Sequence, residues 1–517
     1  MYTTPQPKVG VDDIAIYVPK LRFEMKTFAD LRAVDYGKLN RGLGLEAMAI
    51  PDLHEDPATM GANAAMRLID RNELDPRDIG RVYLGTESAL DGAKPTATYI
   101  LEMLTQRYAP RYGRGCFARC DVVDMTFACV GAVDALHNTL DWVARGGEEA
   151  GRMGLVVFTD YAKYDIGSSG EYTQGAGAGA LLVKHRPRLF TVPDLWGVST
   201  EPAHDFFKPR RHLSPERLVH QVLSAAQDAD VSIDLDEGLV SRVLSQLSKA
   251  GAGAEMWRES QIAIHRDTPL FDGPLSNRCY AQRVREAFID FRAQALHAHA
   301  DRDHDQLITE QWKRIILHLP YAYQGQRMFP DVFRYERQGT PMWAELAEQL
   351  GESPQRERFE LESDYEAARD AHRRAISKTD VYRRFVAEKI ERGQRASSLI
   401  GNLYTGSIFV SLISTLEADL NEGEELDGAL IGLCGYGSGA KAKVFEIEVQ
   451  PGWREVTARF QLMERLAQRT SISAGQYESL HRGQLRASLH EPSGAFALIR
   501  VGGEGLMEGQ REYRFIE

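Results

Sequence analysis

An α/β fold made of two similar halves is what this chain of 517 residues predicts. Short apolar strands alternate with helices of 3.6-residue apolar spacing, and the same texture returns in the second half. Each half carries a small-residue turn beside a strand, Ala128-Cys129 in the first and Gly435-Tyr-Gly-Ser-Gly439 in the second. With 43% hydrophobic and 26% charged residues the chain has ample material for a large core. Its length suggests about two to four structural units.

Taken in order, residues 9–18 read as a strand, 59–70 as an Ala-rich helix, 81–85 as a strand, and 95–108 as a helix with Leu101 and Leu104 on one face. Residues 120–125 look like a buried strand leading into a helix that starts around Cys129 and continues to about Gly146. Residues 154–159 and 177–183 are further apolar strands; the second lacks alternation and is expected to be buried on both faces. The second half offers a strand at 314–319, a long apolar helix at 405–416, a strand at 428–434 and an alternating strand at 443–449. The halves divide as 1–190 and 191–517. Residues 213–270 and 334–397, rich in Arg, Glu, Asp, Gln and His at helical spacing, are expected to be solvent-facing helical insertions in the second half.

A formal charge of −12 argues against nucleic acid or an anionic membrane as the main partner. The basic run Lys208-Pro-Arg-Arg211 suits a local anion pocket or an exposed loop. The 5 cysteines, at 116, 120, 129, 279 and 434, are too few and too irregular for a disulfide framework. With no apolar leader and no stretch of about 18 apolar residues, a cytoplasmic protein is expected. No metal is expected: Cys116 and Cys120 have no second ligand pair, and His297, His299 and His304 read as a solvated helix end. The 435–439 glycines lack the sixth-position glycine and the following helix of a dinucleotide fingerprint.

Four positions have the local context for chemistry. Cys129 stands between a strand and the first turn of an apolar helix, where the free N–H groups and the dipole favour a thiolate and can hold a carbonyl oxygen. Read singly, a small buried residue fits there as well. Glu87, in Gly85-Thr-Glu-Ser88 at a strand end, suits a general base of raised pKa or a helix-capping acid. His318 closes the strand Arg314-Ile-Ile-Leu-His-Leu-Pro320 and suits a proton shuttle near neutral pH or a satisfied core histidine. Asn402, ahead of the long helix, can address a carbonyl oxygen or cap the helix.

These fragments resemble the 3-hydroxy-3-methylglutaryl-CoA synthase family across nearly the whole chain outside the two charged insertions. The matching segments include Phe127-Ala-Cys-Val-Gly131, Gly85-Thr-Glu-Ser88, Tyr172-Thr-Gln-Gly-Ala-Gly177, Asp205-Phe-Phe-Lys-Pro209, Asp272-Gly-Pro-Leu-Ser-Asn277, His318-Leu-Pro-Tyr321, Gly401-Asn-Leu-Tyr-Thr-Gly406 and Tyr436-Gly-Ser-Gly439. The resemblance implies a thiolase-like fold, two halves in a layered αβαβα arrangement, and a homodimer. It implies that Cys129 carries an acetyl thioester, that Glu87 removes a methyl proton, and that His318 supplies or relays a proton to the alkoxide formed on acetoacetyl-CoA. Asn402 and Ser438 match positions near the acetoacetyl or product group, and Thr173 and Ser276 match positions at the acyl or pantetheine portion. Tyr164, Asp160 and Asp205 match residues that organise the pocket. The glycines of 175–179 and 435–439 are expected to let backbone approach the thioester. Acetyl-CoA and acetoacetyl-CoA are then substrates, and no cofactor is required.

One departure stands out. The family has a lysine five residues after the histidine, where this chain has Tyr323; Arg327 is the candidate replacement for holding CoA phosphate. That change leaves open a related enzyme of polyketide β-branching that takes its acyl groups from an acyl carrier protein. A thiolase or ketoacyl synthase fits less well because of the Glu87 context, and a non-catalytic scaffold would be expected to lose one of Glu87, Cys129 and His318.

Overall fold

The computed structural model describes residues 8–228, 238–249, 257, 261–298, 306–503 and 507–517. The first half contributes β1 (Val9–Tyr17), α1 (Pro57–Arg71), β2 (Ile79–Gly85), α2 (Thr96–Tyr112), β3 (Asp121–Met125), α3 (Gly131–Gly146), β4 (Met153–Ala162) and β5 (Gly175–His185). The second contributes β6 (Phe190–Thr191), β7 (Gly197–Thr200), α4 (Gly273–Ala298), β8 (Trp312–Leu317), α5 (Ser407–Asn421), β9 (Leu430–Gly437) and β10 (Lys441–Val449). The predicted core strands and helices are all present, with ends displaced by a few residues.

The strands form a 10-stranded path, β8-β9-β10-β6-β1-β5-β4-β2-β3, with β7 beside β10. Its pairing repeats. β2 lies parallel to β4, then β4–β5 and β5–β1 are antiparallel. β8 lies parallel to β9, then β9–β10 and β10 with β6 and β7 are antiparallel.

Side-chain parity sorts these strands into layers, because successive residues point to opposite faces. Val156 and Phe158 of β4 face a central core with α3 and α5, whereas Leu155 and Val157 face an outer core with α1 and α2. In the other half, Phe445 and Ile447 of β10 face the same central core, and Ala442 and Val444 face a third core containing α4. The order is helix, sheet, helix, sheet, helix, with α3 and α5 sandwiched in the middle. Residues buried on every side explain why α5 and β5 read as continuously apolar. α1 starts with Asp56 accepting from the Thr59 amide, while Pro57 occupies its first turn.

Two expectations change. β3 is a half-exposed sheet edge rather than a buried strand, since only β2 pairs with it. The second charged segment also reaches inward: Trp343, Leu346, Ile376, Tyr382 and Phe385 enter the outer core. Its inner face is disguised by buried cations with partners, Arg373 with Asp331 at 3.3 Å and Arg337 with Thr309 at 3.0 Å. In the first charged segment the described helices Pro215–Asp228 and Leu239–Leu247 are mostly exposed or half-buried, and residues 229–237, 250–256 and 258–260 lie outside the described residues. His297 is in the exposed last turn of α4, while His299 and His304 lie outside the described residues.

Gly85 lets the end of β2 press onto the start of α3: a Cβ there would lie 2.2 Å from the Ala132 nitrogen and 2.3 Å from its Cα. Backbone cannot swing aside as a side chain can. Gly85→Ala is therefore expected to lower stability by about 3 kcal/mol or more, read as a lower denaturation midpoint. An unchanged midpoint would refute this tight contact.

Candidate active site

β3 ends at Met125, and α3 begins at Gly131; Cys129 sits in the turn between them. Ala128, just ahead of it, has φ of +36°, a strained value for a residue with a Cβ. The turn is gripped from the second half by Gly437, whose Cβ would lie 2.7 Å from the Phe127 carbonyl oxygen and 2.9 Å from the Val130 nitrogen. Cys129 is thus held where the two halves meet, packed with Ala162, Tyr164 and Tyr404 and only 8% exposed.

Glu87 follows β2. Its amide donates to Asp160 Oδ1 at 2.8 Å. Asp160 also accepts from Thr86 Oγ1 at 3.1 Å, Ser88 Oγ at 3.0 Å, and Thr405 through both its amide at 3.1 Å and its Oγ1 at 2.6 Å. One buried carboxylate thereby ties the Glu87 segment to the loop before α5. The Glu87 carboxylate and the Cys129 thiol are hydrogen-bonding neighbours, and Glu87 Oε1 is buried without another partner. Burial pushes Glu87 up to about 7, against the pull of the Lys208 ammonium. The sequence expectation of an easily formed thiolate does not hold: burial first, and the Glu87 charge second, push the Cys129 thiol well above its usual range. The thiol faces a carboxylate, so its proton has a ready acceptor but its free anion is disfavoured.

Lys208, read from the sequence only as part of a basic run suited to an anion pocket or an exposed loop, instead stands beside Glu87. Its Nζ donates to the Glu87 carbonyl at 2.9 Å and lies 4.9 Å from the centre of the Tyr404 ring. With Glu87, Thr126, Ala128 and Ser438 it lines a cleft of about 830 Å³. Its place in Asp205-Phe-Phe-Lys-Pro209 was the available signal. Because its charge favours the ionised form of Glu87, Lys208→Met is expected to move the Glu87-dependent limb of a pH–rate profile upward, by about one unit. An unmoved limb would show that the ammonium does not act on that carboxylate.

His318 comes immediately after β8; its amide donates to the Cys434 carbonyl at 3.1 Å and its own carbonyl accepts from the Tyr280 hydroxyl at 2.9 Å. Tyr280 stacks on the imidazole at 6.3 Å and is close enough to Cys129 to feel its charge. Both ring nitrogens are buried without a partner. Burial drives the imidazole pKa down to about 3, so it is neutral at physiological pH rather than a shuttle titrating near 7. A neutral ring with one N–H and one lone pair remains, both available to a ligand.

The Asn402 Oδ1 accepts from the Tyr404 amide at 2.8 Å and from Ser407 Oγ at 3.2 Å, so it shapes the loop while its Nδ2 stays available. The Thr173 carbonyl accepts from the Asn402 amide at 2.8 Å, and Thr173 Oγ1 donates to the Gly170 carbonyl at 2.8 Å. Tyr164 packs edge-on against Phe271 at 5.6 Å. Asp205 accepts from the Tyr436 hydroxyl at 3.0 Å and the Gly439 amide at 2.8 Å, which fixes the loop bearing Ser438; Ser276 Oγ is 3.4 Å from Ser438 Oγ.

One candidate lies outside this cleft. Arg327 is exposed, donates to the Gly42 carbonyl at 2.6 Å and sits over Tyr321, away from the Glu87 cleft. The ring of Tyr323 packs on Gly44, 2.8 Å from where a Cβ would be. The glycines at 175 and 437 are filled by protein, since Gly175 would clash with the Asn402 carbonyl at 2.5 Å and Gly437 with the Cys129 turn. Among the described residues, His137, Asp141 and Asp194 can approach one another as metal ligands, but Lys443 Nζ lies 3.0 Å from His137 Nδ1, and a cation there opposes a second one. Also among the described residues, no helix is long and apolar enough to cross a membrane.

Residues 5–187 match the family described as hydroxymethylglutaryl-coenzyme A synthase N terminal, and residues 262–492 its C terminal counterpart. A hydroxymethylglutaryl-CoA synthase of Haloferax volcanii is 30% identical, covering 98% of this chain and 99% of its own. A solved structure described as MvaS in complex with 3-hydroxy-3-methylglutaryl coenzyme A superposes with a TM-score of 0.73 at 26% identity, covering 99% of this chain and 100% of that one. The HMG synthase of the curacin biosynthetic pathway, solved with an acetyl donor-ACP, shares the fold with a TM-score of 0.67 at 18% identity, covering 98% of this chain and 100% of that one.

Proposed function

The chain belongs to the hydroxymethylglutaryl-CoA synthase family, and from that premise we propose that it condenses acetyl-CoA with acetoacetyl-CoA and water to give HMG-CoA and CoA. The observation that carries this reading is one buried thiol beside a carboxylate of raised pKa, together with a buried, unpartnered neutral imidazole stacked on Tyr280. Glu87 takes the thiol proton as Cys129 attacks the acetyl carbonyl and returns it to the departing CoA sulfur, which gives an acetyl-Cys129 thioester. Ionised again, it removes a methyl proton. The enolate carbon attacks C3 of acetoacetyl-CoA, where neutral His318 hydrogen-bonds the developing alkoxide and relays a proton to it. Water then cleaves the thioester. Asn402 Nδ2, Ser438, Ser276 and Thr173 flank the acyl groups in this reading, and Asp160, Asp205 and Tyr164 hold them in position.

The reading includes a homodimer, a cytoplasmic location, a place in the mevalonate route, and no metal or cofactor. Intact-protein mass spectrometry with acetyl-CoA should show one acetyl group added, lost on addition of acetoacetyl-CoA as HMG-CoA appears. Turnover should rise with pH through about 7, because Glu87 acts as a base only when ionised; His318, at about 3, adds no limb near neutrality. Adduct formation without HMG-CoA would refute the condensation.

A second reading, with acyl groups carried on an acyl carrier protein, is favoured by Tyr323 in the lysine position. Parallel assays with acetoacetyl-CoA and acetoacetyl-carrier decide between them.

A further inference from the structure

A second cleft, of about 290 Å³, opens between the end of β1, the loop before α1 and residues 465–470. It shares no lining residue with the cleft at Glu87. Lys20, Arg67, Arg465 and Arg469 line it, together with the hydroxyl-bearing Thr470 and Ser493. Among the described residues, none of these four cations is ion-paired. Arg67 lies over the Tyr17 ring at 4.8 Å and donates to the Ile16 carbonyl at 2.8 Å. Arg469, 7% exposed, donates to the carbonyls of Leu466 at 3.2 Å and Leu399 at 2.8 Å, and its remaining terminal nitrogen is buried without an acceptor. Arg465 meets only the Gln461 amide oxygen, at 3.3 Å, and its Nε has none.

Three acids line this cleft: Glu491 is exposed, while Asp52 and Glu55 are engaged elsewhere. Asp52 accepts from the amides of Leu53, Leu489 and His490 at 2.7 to 2.8 Å. Glu55 accepts from the Tyr17 hydroxyl and the Asp52 amide, and burial pushes it up to about 7. Buried charge is normally paired, since removal from water without a partner costs several kcal/mol. Here guanidinium groups are gathered at one opening with only neutral acceptors, in a chain whose net charge is −12. A missing anion is the simplest completion.

We propose that this cleft binds a phosphate-type oxyanion, either free or at the end of a phosphomonoester or diphosphate. A tetrahedral anion with at least two negative charges can be met by several guanidinium groups at once, with an ammonium and hydroxyl donors at its margin. A monocarboxylate lacks the charge to answer four cations.

The test is titration calorimetry on the full chain at constant ionic strength, with inorganic phosphate, pyrophosphate and adenosine 3′,5′-bisphosphate as probes. Saturable binding of pyrophosphate is expected, weakened roughly tenfold or more in Arg67→Met/Arg465→Met. The Lys20 side chain is exposed and, among the described residues, makes no hydrogen bond or ion pair, so Lys20→Met is expected to fold normally and still weaken binding about threefold. Tight binding by pyrophosphate alone assigns a free inorganic anion, whereas tighter binding of the bisphosphate assigns a nucleotide-borne phosphate; both support the site. No saturable binding by any probe up to ~10 mM overturns it, as does affinity unchanged in the Lys20 and arginine variants.

Discussion

Cys129→Ser is expected to abolish the acetyl adduct and to lower turnover roughly ten-thousand-fold, with the fold intact. A serine hydroxyl in this pocket faces the same burial and the same neighbouring carboxylate that push the Cys129 thiol up, starting from a far weaker acid. The volume change is slight, so circular dichroism and thermal midpoint should be close to those of the parent. Mass spectrometry with acetyl-CoA then reads the chemistry directly. Adduct still found in the variant, on any other residue, would remove Cys129 from the nucleophile's role.

Glu87→Gln separates the two halves of the reaction. Removing the carboxylate takes away both the acceptor of the thiol proton and the charge that opposes a thiolate. Acetyl transfer should therefore persist, slower at neutral pH and rising as pH rises, because hydroxide replaces Glu87 in generating the anion. Carbon deprotonation has no such substitute. Condensation should fall by about 10³- to 10⁴-fold, the range for loss of a general base, while acetyl-enzyme accumulates. Rapid-quench measurement of the two steps distinguishes them, and equal loss in both would mean that the carboxylate serves only the thiol.

Much of this molecule was legible in its residues. Periodicity located the core strands and helices because those segments are buried on one or both faces, and burial writes itself into the pattern. The inward face of residues 334–397 was not legible, because Arg337 and Arg373 are buried with partners and counted as polar. Cys129, Glu87 and His318 could be singled out from local context, but the sign of two effects could not. The helix position of Cys129 suggested an acidic thiol, whereas the buried carboxylate 42 positions away in sequence opposes it. His318 looked suited to titrate near 7 until the structure placed both nitrogens in the interior without a protein partner. Lys208 and Tyr280 act across long sequence separations, and no periodicity reports such encounters.

The Asp160 bond to Thr405 spans 245 positions of chain. On a ribosome adding about 5 to 20 residues each second, that carboxylate waits roughly 10 to 50 s for the hydroxyl that completes it. During this interval the nascent first half already contains the Cys129 sulfur, yet Tyr404 and Gly437, which pack over it and its turn, have not been made. Such an enzyme switches on only late in its own synthesis, and a truncated product would leave its unfinished centre open to oxidants and to the cell's quality control.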